Sequence, residues 1–218
     1  LGTVGPPIPE TEFRIYDLNT QKLLFPTPEQ PSSGRGRRGL LHVRGPQVMK
    51  GYYKQPEETE RVLKGGWMNT GDIAMITFND CLKILGRAKE TIVLLSGENV
   101  EPAPIEAKIT ESPLIGQCMV LGNDQKYLTA LVVPDSHYLE KPLPELACDP
   151  ALKKQFIQEI RKGVNQSDRF KSFEHVHGIH VLEKPFEVGE ELTATFKLRR
   201  HIVESLYERE IEQLYQKS

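Results

Sequence analysis

Three short clusters contain charged residues whose chemistry suits the binding of hydroxyl, phosphate or carboxylate groups. In the pair Gly71-Asp72, the glycine permits close backbone approach, and the carboxylate can accept hydrogen bonds from vicinal hydroxyls, as acidic residues do for a ribose. Arg87 offers a planar guanidinium group to phosphate or ribose oxygens. Lys197 follows a threonine-rich turn and could neutralise negative charge on a phosphate or on a reacting carboxylate.

Each of these residues also has an ordinary structural interpretation, which is the commoner one for such a residue taken alone. Asp72 could cap a turn before a strand, Arg87 could lie in a solvated charged turn, and Lys197 could be an exposed lysine at the start of a helix. Lys197 suits that position poorly, because cations are more favourable at the C-terminal end of a helix. The run Ser96-Gly97-Glu98 predicts a tight turn that exposes backbone amides, or simply a loop.

Metal-binding and disulfide patterns are not indicated. The histidines His175, His177 and His180 are close in sequence, but no cysteine or acidic residue stands at metal-binding spacing from them. We interpret these histidines as structural and predict no metal site. The 3 cysteines are far apart and include no C-x-x-C pair, which predicts neither a disulfide framework nor a zinc site and favours a reducing compartment such as the cytoplasm.

Composition narrows the classes of partner. Charged residues make up 27% of the chain and the net charge is -2, so no basic excess points to nucleic acid. The sequence has no apolar run of about 18 residues and no visible signal peptide, so we expect a cytoplasmic location. Arg35, Arg37 and Arg38 could make a peripheral contact with an anionic membrane surface, although a solvated loop is the favoured interpretation.

Hydrophobic periodicity predicts an α+β fold in two parts. The first part, residues 1–86, is predicted to be mostly β, with strands over 12–17, 39–45, 73–77 and 82–85, one helix over 56–63 and a loop over 26–38. The second part, residues 87–218, is predicted to be α+β, with strands over 92–95, 117–122, 128–134 and 179–182 and helices over 104–109, 152–164 and from 197 onwards. Residues 86–89 are the candidate junction, where Gly86 tolerates unusual backbone angles.

Five segments, taken in order along nearly the whole chain, resemble the acyl-CoA synthetase branch of the adenylate-forming (AMP-binding) superfamily, which also contains luciferases and nonribosomal adenylation domains. The matching segments are Met49–Tyr53 with Pro56–Thr59, Gly66–Asp72, Gly86–Glu90, Ser96–Val100 with Pro102, Ile105 and Glu106, and Glu191–Lys197. Any one of them is weak, whereas the ordered series is specific. The resemblance implies that residues 1–86 are the end of a large AMP-binding domain, including part of a distorted β-barrel, and that residues 87–218 are its small mobile C-terminal domain.

The resemblance also implies roles for residues on the nucleotide side of the site. Asp72 would bind the ribose hydroxyls of ATP and of the acyl-adenylate, and Arg87 would contact the nucleotide near the domain junction. Lys89 would be the hinge about which the small domain turns. Asn69 departs from the pattern, because members of the family often carry a larger polar or aromatic residue there, so the ribose environment is less well defined.

On the acyl side, Lys197 would be the catalytic lysine that touches the fatty acid carboxylate and the α-phosphate during adenylation. Ser96, Gly97 and Glu98 would line the channel for the CoA thiol. The implied reaction joins a long-chain fatty acid and ATP into acyl-adenylate and pyrophosphate, after which CoA displaces AMP. Mg²⁺ is the implied cofactor. Its ligands, the phosphate loop and the acyl pocket are expected before Leu1, so we expect a piece of a longer protein that is inactive alone.

Two alternatives stay open. The enzyme could load its acyl group onto a carrier protein in place of CoA, or the chain could be a non-catalytic binding module that kept the fold. Retention of Asp72, Arg87 and Lys197 argues against the second alternative, because a module without catalysis has no use for that lysine. Neither the acyl-chain length nor the oligomeric state is indicated by the sequence.

Overall fold

The computed structural model describes residues 3–18, 20–26 and 34–216. The chain divides into two compact units, residues 1–89 and residues 90–218. The division falls inside a 3-10 turn, Ala88–Glu90, just beyond Gly86, where the sequence predicts the junction. Most of the predicted loop over 26–38 lies outside the described residues, at 27–33.

The first unit is built, within its described residues, on a six-stranded antiparallel sheet. Its strands are β1 (Glu12–Tyr16), β2 (Leu23–Phe25), β3 (Arg38–Arg44), β4 (Leu63–Lys64), β5 (Trp67–Ile76) and β6 (Leu82–Arg87), and helix α1 (Pro56–Val62) precedes β4. Their order is β2-β1-β3-β5-β4, and β6 also pairs with β5. Alternation along β1, β3 and β5 buries Ile15, Leu41 and Ala74 in one apolar cluster, because successive side chains of a strand point to opposite faces.

The second unit is built on a three-stranded sheet, counted over the described residues, that is buried on both faces. It consists of β9 (Ile115–Leu121), β10 (Leu128–Pro134) and β11 (Val176–Val181) in the order β11-β10-β9, with β10 antiparallel to β9 and parallel to β11. All seven residues of β10 are buried. A central strand with helices or loops on both sides is expected to be apolar throughout in this way.

Alternate residues of this sheet enter two separate apolar clusters. Val120 and Val132 join a cluster with helices α2 (Pro102–Ile109) and α4 (Pro150–Ile160). Met119 and Leu131 join a second cluster on the other face, which helix α5 (Arg200–Leu206) helps to cover. The remaining elements of this unit are the hairpin of β7 (Ile92–Val93) and β8 (Asn99–Val100), helix α3 (Leu143–Ala147) and helix α6 (Glu208–Gln216).

Helix α4 shows how local sequence sets an element of this unit. Asp149 is its N-cap, and the carboxylate accepts hydrogen bonds from the backbone N–H groups of Ala151 and Leu152 at 2.8 and 3.2 Å. The predicted apolar stripe is buried except at Ile157, whose side chain is 45% exposed. Beyond Ile160 the chain continues as a π-helical turn, Arg161–Asn165, which keeps the stripe facing the core.

The predicted α+β class, with a mostly-β first part, is confirmed. Strand β5 begins at Trp67, six residues before the predicted strand at 73, because the Asn-Thr-Gly-Asp run is held in the sheet as an irregularity. The C-terminal helix predicted from Lys197 begins at Arg200, because Leu198 pairs with Leu192 in a short β-bridge, and it is divided at Tyr207 into α5 and α6. In the part of the chain that the structure covers, no helix combines the length and apolarity needed to cross a bilayer.

Replacing the N-cap of α4 tests this account of the second unit. Asp149→Ala leaves two backbone N–H groups without their acceptor, and we expect the free energy of unfolding to fall by about 1 kcal/mol. The measurement is hydrogen exchange of the α4 amides in urea. The matched control is Asp168→Ala, because that exposed carboxylate has no hydrogen bond or ion pair with any described residue. Equal effects of the two substitutions would show that the cap contributes nothing.

Candidate functional site

Asp72 and Arg87, which the sequence places fifteen residues apart, are direct cross-strand neighbours on β5 and β6. The guanidinium Nε lies 3.0 Å from the carboxylate Oδ1, and the side chains are 23% exposed for Asp72 and 51% for Arg87. Arg87 also donates from Nη1 to the carbonyl oxygen of Thr70 at 3.1 Å. The structure therefore brings together the two residues that the sequence singled out for nucleotide binding.

An irregularity in β5 sets the position of the Asp72 carboxylate. The register passes from Leu40 opposite Ile73 to His42 opposite Asn69, so that three residues of β5 face only Leu41 of β3. The sequence suggested that Asp72 lies in a turn ahead of a strand. The structure instead places it within strand β5. A bulge of this kind redirects a side chain and increases the local twist.

Hydrogen bonds fix the shape of this bulge. The Thr70 hydroxyl donates to the carbonyl oxygen of Leu41 at 3.0 Å and accepts from the backbone N–H of Asp72 at 3.0 Å. The amide oxygen of Asn69 accepts from the backbone N–H of Gly71 at 2.9 Å. Gly71 has a φ of +71°, a conformation that costs other residues about 1–2 kcal/mol. Asn69, the departure noted in the sequence, thus supports the bulge.

The charges of the Asp72–Arg87 pair are only partly withdrawn from water. An ion pair with this exposure contributes at most about 1 kcal/mol to stability. A carboxylate has about four acceptor positions, so Asp72 can hold a ligand hydroxyl while it keeps its contact with the guanidinium group. The arrangement presents an acceptor for hydroxyls beside a donor for oxyanions.

Ser96, Gly97 and Glu98 form the exposed tip of the β7–β8 hairpin in the second unit. The N–H of Gly97 donates to the carbonyl oxygen of Leu94 at 2.8 Å, and Gly97 has a φ of +84° with open space around it. The predicted tight turn is therefore present. The strand before it ends at Val93, two residues earlier than predicted, because the chain turns at Leu94.

Lys197 lies in a separate turn of the second unit, three residues before α5. Its carbonyl oxygen accepts from the N–H of Thr193 at 2.9 Å, and its own N–H donates to the hydroxyl of Thr193 at 3.1 Å. The preceding residue, Phe196, has a φ of +59° and is 75% exposed. The side chain of Lys197 is exposed and has no ion pair with any residue that the structure describes. Its backbone is thus held by a turn and its ammonium group is available.

Lys89 lies in the 3-10 turn at the division between the units, and its role as a hinge remains a prediction. Of the three neighbouring histidines His175, His177 and His180, the last two have ordinary packing environments. The ring of His177 packs on Tyr127 with centroids 5.2 Å apart, and burial is the main cause that lowers the pKa of His180, with smaller opposing effects from Glu210 and Glu183. Over the described ranges, no group of three His, Cys, Asp or Glu residues could hold a metal ion.

Sequence reasoning missed several residues that the structure connects to these sites. Thr70 lies inside the motif Gly66–Asp72, yet only the sheet shows that its hydroxyl bridges β3 and β5. Glu106 and Arg200 both contact backbone groups of Val120 in β9, and the side chain of Gln117, also in β9, contacts the backbone of Phe186. No local spacing could have indicated those contacts.

Comparison with known proteins identifies the family. Residues 89–218 match the family model described as AMP-binding enzyme C-terminal domain. The chain belongs to the AMP-binding, adenylate-forming enzymes. The resemblance of the ordered motifs is thereby confirmed, and the match covers the whole second unit of this AMP-binding chain.

Relatives of the AMP-binding chain extend over its full length. It is 39% identical to the chloroplastic long-chain-fatty-acid–[acyl-carrier-protein] ligase AEE15 of Arabidopsis thaliana, over 99% of this chain and 29% of that protein. It is 35% identical to long chain acyl-CoA synthetase 1 of the same plant, over 100% of this chain and 33% of that protein. The chain thus spans about a third of the length of these curated relatives.

A solved structure shows the same architecture. The A domain of the carboxylic acid reductase from Segniliparus rugosus, in complex with AMP and a co-purified carboxylic acid, aligns with a TM-score of 0.77 at 27% identity. The alignment covers 97% of this chain and 32% of that one. The α+β arrangement is therefore that of adenylation domains of the AMP-binding family.

Removing the Thr70 hydroxyl tests the bulge that positions Asp72. Thr70→Val deletes one donor and one acceptor in a half-buried place, and we expect the first unit to lose about 1–3 kcal/mol of unfolding free energy. Thr70→Ser keeps the hydroxyl and is the matched control, with a smaller loss. The chain has 1 tryptophan, Trp67 in β5, so urea unfolding followed by its fluorescence reports on this unit. A larger loss for Thr70→Ser than for Thr70→Val would contradict the role of the hydroxyl.

Proposed function

We propose that this chain is part of an ATP-dependent ligase that activates a long-chain fatty acid and transfers it to the thiol of CoA. In the first step, a carboxylate oxygen attacks the α-phosphorus of ATP and pyrophosphate leaves. In the second step, the sulfur of CoA attacks the acyl carbon, the thiol proton is released, and AMP leaves with the bonding electrons. Family membership supports the chemistry, and the relatives named as long-chain ligases support the substrate class.

The observation that carries the proposal is the exposed ammonium group of Lys197 on a turn held by the backbone. Attack of a carboxylate on a polyanionic phosphate brings like charges together, and further charge accumulates on oxygen in the transition state. A cation placed at that point lowers the barrier. A lysine with an internal ion pair would first have to break that pair, whereas Lys197 has none among the described residues.

In this proposal, Asp72 binds the ribose hydroxyls and Arg87 contacts the nucleotide. The carboxylate keeps acceptor positions beside the guanidinium group, which supports both roles. Mg²⁺ would share the charge neutralisation when bound. The described residues contain no group of three His, Cys, Asp or Glu residues that could hold a metal ion, and we propose that the ligands of Mg²⁺ lie in the rest of the protein.

Movement of the small domain about Lys89 completes the proposed cycle. Adenylation needs Lys197 at the phosphate, whereas thioester formation needs a path for the CoA thiol, for which we propose the turn of Ser96, Gly97 and Glu98. The division of the chain into two compact units at residues 89 and 90 supports such a movement. The turn is exposed and is therefore accessible to a polar ligand.

A carrier protein is the second candidate acceptor, because the relative at 39% identity is named as an acyl-carrier-protein ligase. Assaying CoA and a phosphopantetheine-bearing carrier protein side by side, with the same fatty acid, separates the two acceptors. Thioester formation on the carrier alone would favour this candidate.

The environment of Arg35 argues against the proposal that this loop contacts an anionic membrane. Its Nε and Nη2 donate to Asp80 Oδ1 at 2.8 and 2.5 Å, so one of the three loop cations is already neutralised.

For the compartment, we propose the cytoplasm or another reducing space. Cys81, Cys118 and Cys148 are all free, and the relative AEE15 is named as chloroplastic.

Substitution of Lys197 in the full-length protein tests the function. We expect Lys197→Ala to lower the rate of adenylation about 100- to 1,000-fold, since one charge-stabilising group is lost from the transition state. Thioester formation from supplied acyl-adenylate should change little. The measurements are ATP–pyrophosphate exchange and thioester yield, and Lys162→Ala, at another exposed lysine, is the control. No change in either half-reaction would point to the non-catalytic binding module.

The isolated chain gives a second test. We expect residues 1–218 alone to form no acyl-CoA from fatty acid, ATP and CoA, because the phosphate loop and acyl pocket are assigned to the rest of the protein. The measurement is thioester formation at high chain concentration, with the full-length enzyme as the positive control. Clear turnover by the isolated chain would refute this assignment.

A further inference from the structure

The turn that carries Lys197 belongs to a long connection between β11 and α5. This connection, residues 182–199, contains no helix, and its β-structure is limited to isolated bridges. A connection of this length without regular structure is uncommon in a compact domain and is usually functional. Its backbone has to be held by contacts other than a helix or a sheet ladder.

The first contact that holds the connection is made by Gln117 of β9. Its side-chain Oε1 accepts from the N–H of Phe186 at 2.7 Å, and its Nε2 donates to the carbonyl oxygen of Phe186 at 3.2 Å. Phe186 is 4% exposed and packs in the cluster that includes Met119 and Leu131. The amide group of Gln117 thus makes the two hydrogen bonds to the Phe186 backbone that a neighbouring strand would otherwise make.

The second contact is made at the other end of the connection by Arg200, the first residue of α5. Its Nη1 donates to the carbonyl oxygen of Val120 at 3.0 Å, and its Nη2 forms an ion pair with Oε1 of Glu106. The same Oε1 accepts from the N–H of Val120 at 2.8 Å. The side chains of Arg200 and Glu106 are 14% and 13% exposed. Together they bind the backbone N–H and C=O groups of one residue, Val120, on β9, which is an edge strand of the described sheet.

The short segment between Lys197 and Arg200 couples the position of the Lys197 turn to the position of Arg200. Leu198 forms a β-bridge with Leu192, and the N–H of Arg199 donates to the carbonyl oxygen of Glu191 at 2.8 Å. The Thr193–Lys197 turn closes directly onto that bridge. A displacement of Arg200 would therefore move the turn and the ammonium group that it carries.

The Glu106–Arg200 pair is better suited to fixing geometry than to adding stability. Burial raises the pKa of the Glu106 carboxyl, and the charge of Arg200 and the Val120 N–H partly offset that effect. Buried ion pairs often add little net stability compared with apolar residues of similar volume. A planar guanidinium fork, however, fixes the direction of its partners in a way that a lysine ammonium group does not.

We propose that Glu106, Gln117 and Arg200 are positioning residues that hold the Lys197 turn against β9, so that the ammonium group reaches the reacting carboxylate and α-phosphate in a defined place. This inference rests on the proposed role of Lys197. It assigns a function to three side chains that themselves have no need to touch the substrate.

Arg200→Lys in the full-length enzyme tests the proposal, because it keeps the charge and removes the fork. We expect the kcat of adenylation to fall about 10- to 100-fold, since a misplacement of about 1 Å can cost that much. The KM values for ATP and fatty acid, and thioester formation from supplied acyl-adenylate, should stay within about 3-fold. Arg209→Lys, at an exposed arginine of α6, is the matched control.

A double substitution separates positioning from a general structural role. In a Lys197→Ala background, Arg200→Lys should add less than about 2-fold to the loss of adenylation, because residues that act through one group are not additive. Independent, multiplying losses, or an equal fall in both half-reactions, would overturn the proposal. If Lys197→Ala itself leaves adenylation unchanged, the proposed function fails. If Lys197→Ala acts as expected and Arg200→Lys does not, only the positioning role fails.

A second variant keeps the test decisive if Arg200→Lys does not fold. Gln117→Ala removes the contact at the other end of the connection without leaving a buried charge unpaired. We expect the same selective loss of adenylation, smaller in size, with thermal unfolding followed by circular dichroism as the check on folding. Full adenylation activity in a folded Gln117→Ala protein would remove Gln117 from the set, and full activity in both variants would overturn the proposal.

Discussion

A lysine that neutralises charge in a transition state must have a fixed backbone and an unoccupied ammonium group at once. Lys197 meets both conditions, because its turn is closed through backbone groups and the Thr193 hydroxyl, while its side chain is exposed. If the ammonium group itself supplied the anchoring, it would be neutralised before any substrate arrived. The anchoring is instead carried by other side chains, those of Gln117, Glu106 and Arg200.

The position of β9 at the edge of its sheet makes this anchoring possible. An edge strand has outward N–H and C=O groups without a strand partner, which are costly if buried without hydrogen bonds. At Val120, the carboxylate of Glu106 and the guanidinium of Arg200 satisfy both groups, and three residues earlier the Gln117 amide reaches the backbone of Phe186. The same contacts that complete the sheet edge thus fix the connection that carries Lys197.

In the first unit too, the residues that hold the backbone differ from those that are proposed to bind the nucleotide. The bulge in β5 is held by Thr70 and Asn69, neither of which is proposed to touch the nucleotide, and it directs Asp72 toward Arg87 on the neighbouring strand. Because the ion pair is partly exposed, it orients the carboxylate without removing it from water. A division of the chain at residues 89 and 90 allows each unit to carry its own share of the proposed site as a compact body.

The sequence by itself determined the α+β class, most of the strands and the ordered motifs that identify the AMP-binding family, because alternation, helical spacing and motif order are local properties. It also singled out Asp72, Arg87 and Lys197 as candidates. The tertiary structure decided that Asp72 lies in a bulge opposite Leu41 and pairs with Arg87 on the adjacent strand β6. It alone joined Glu106 to Arg200, 94 residues apart. A contact over that separation depends on how the sheet and helices pack, and no periodicity or spacing in the sequence encodes it.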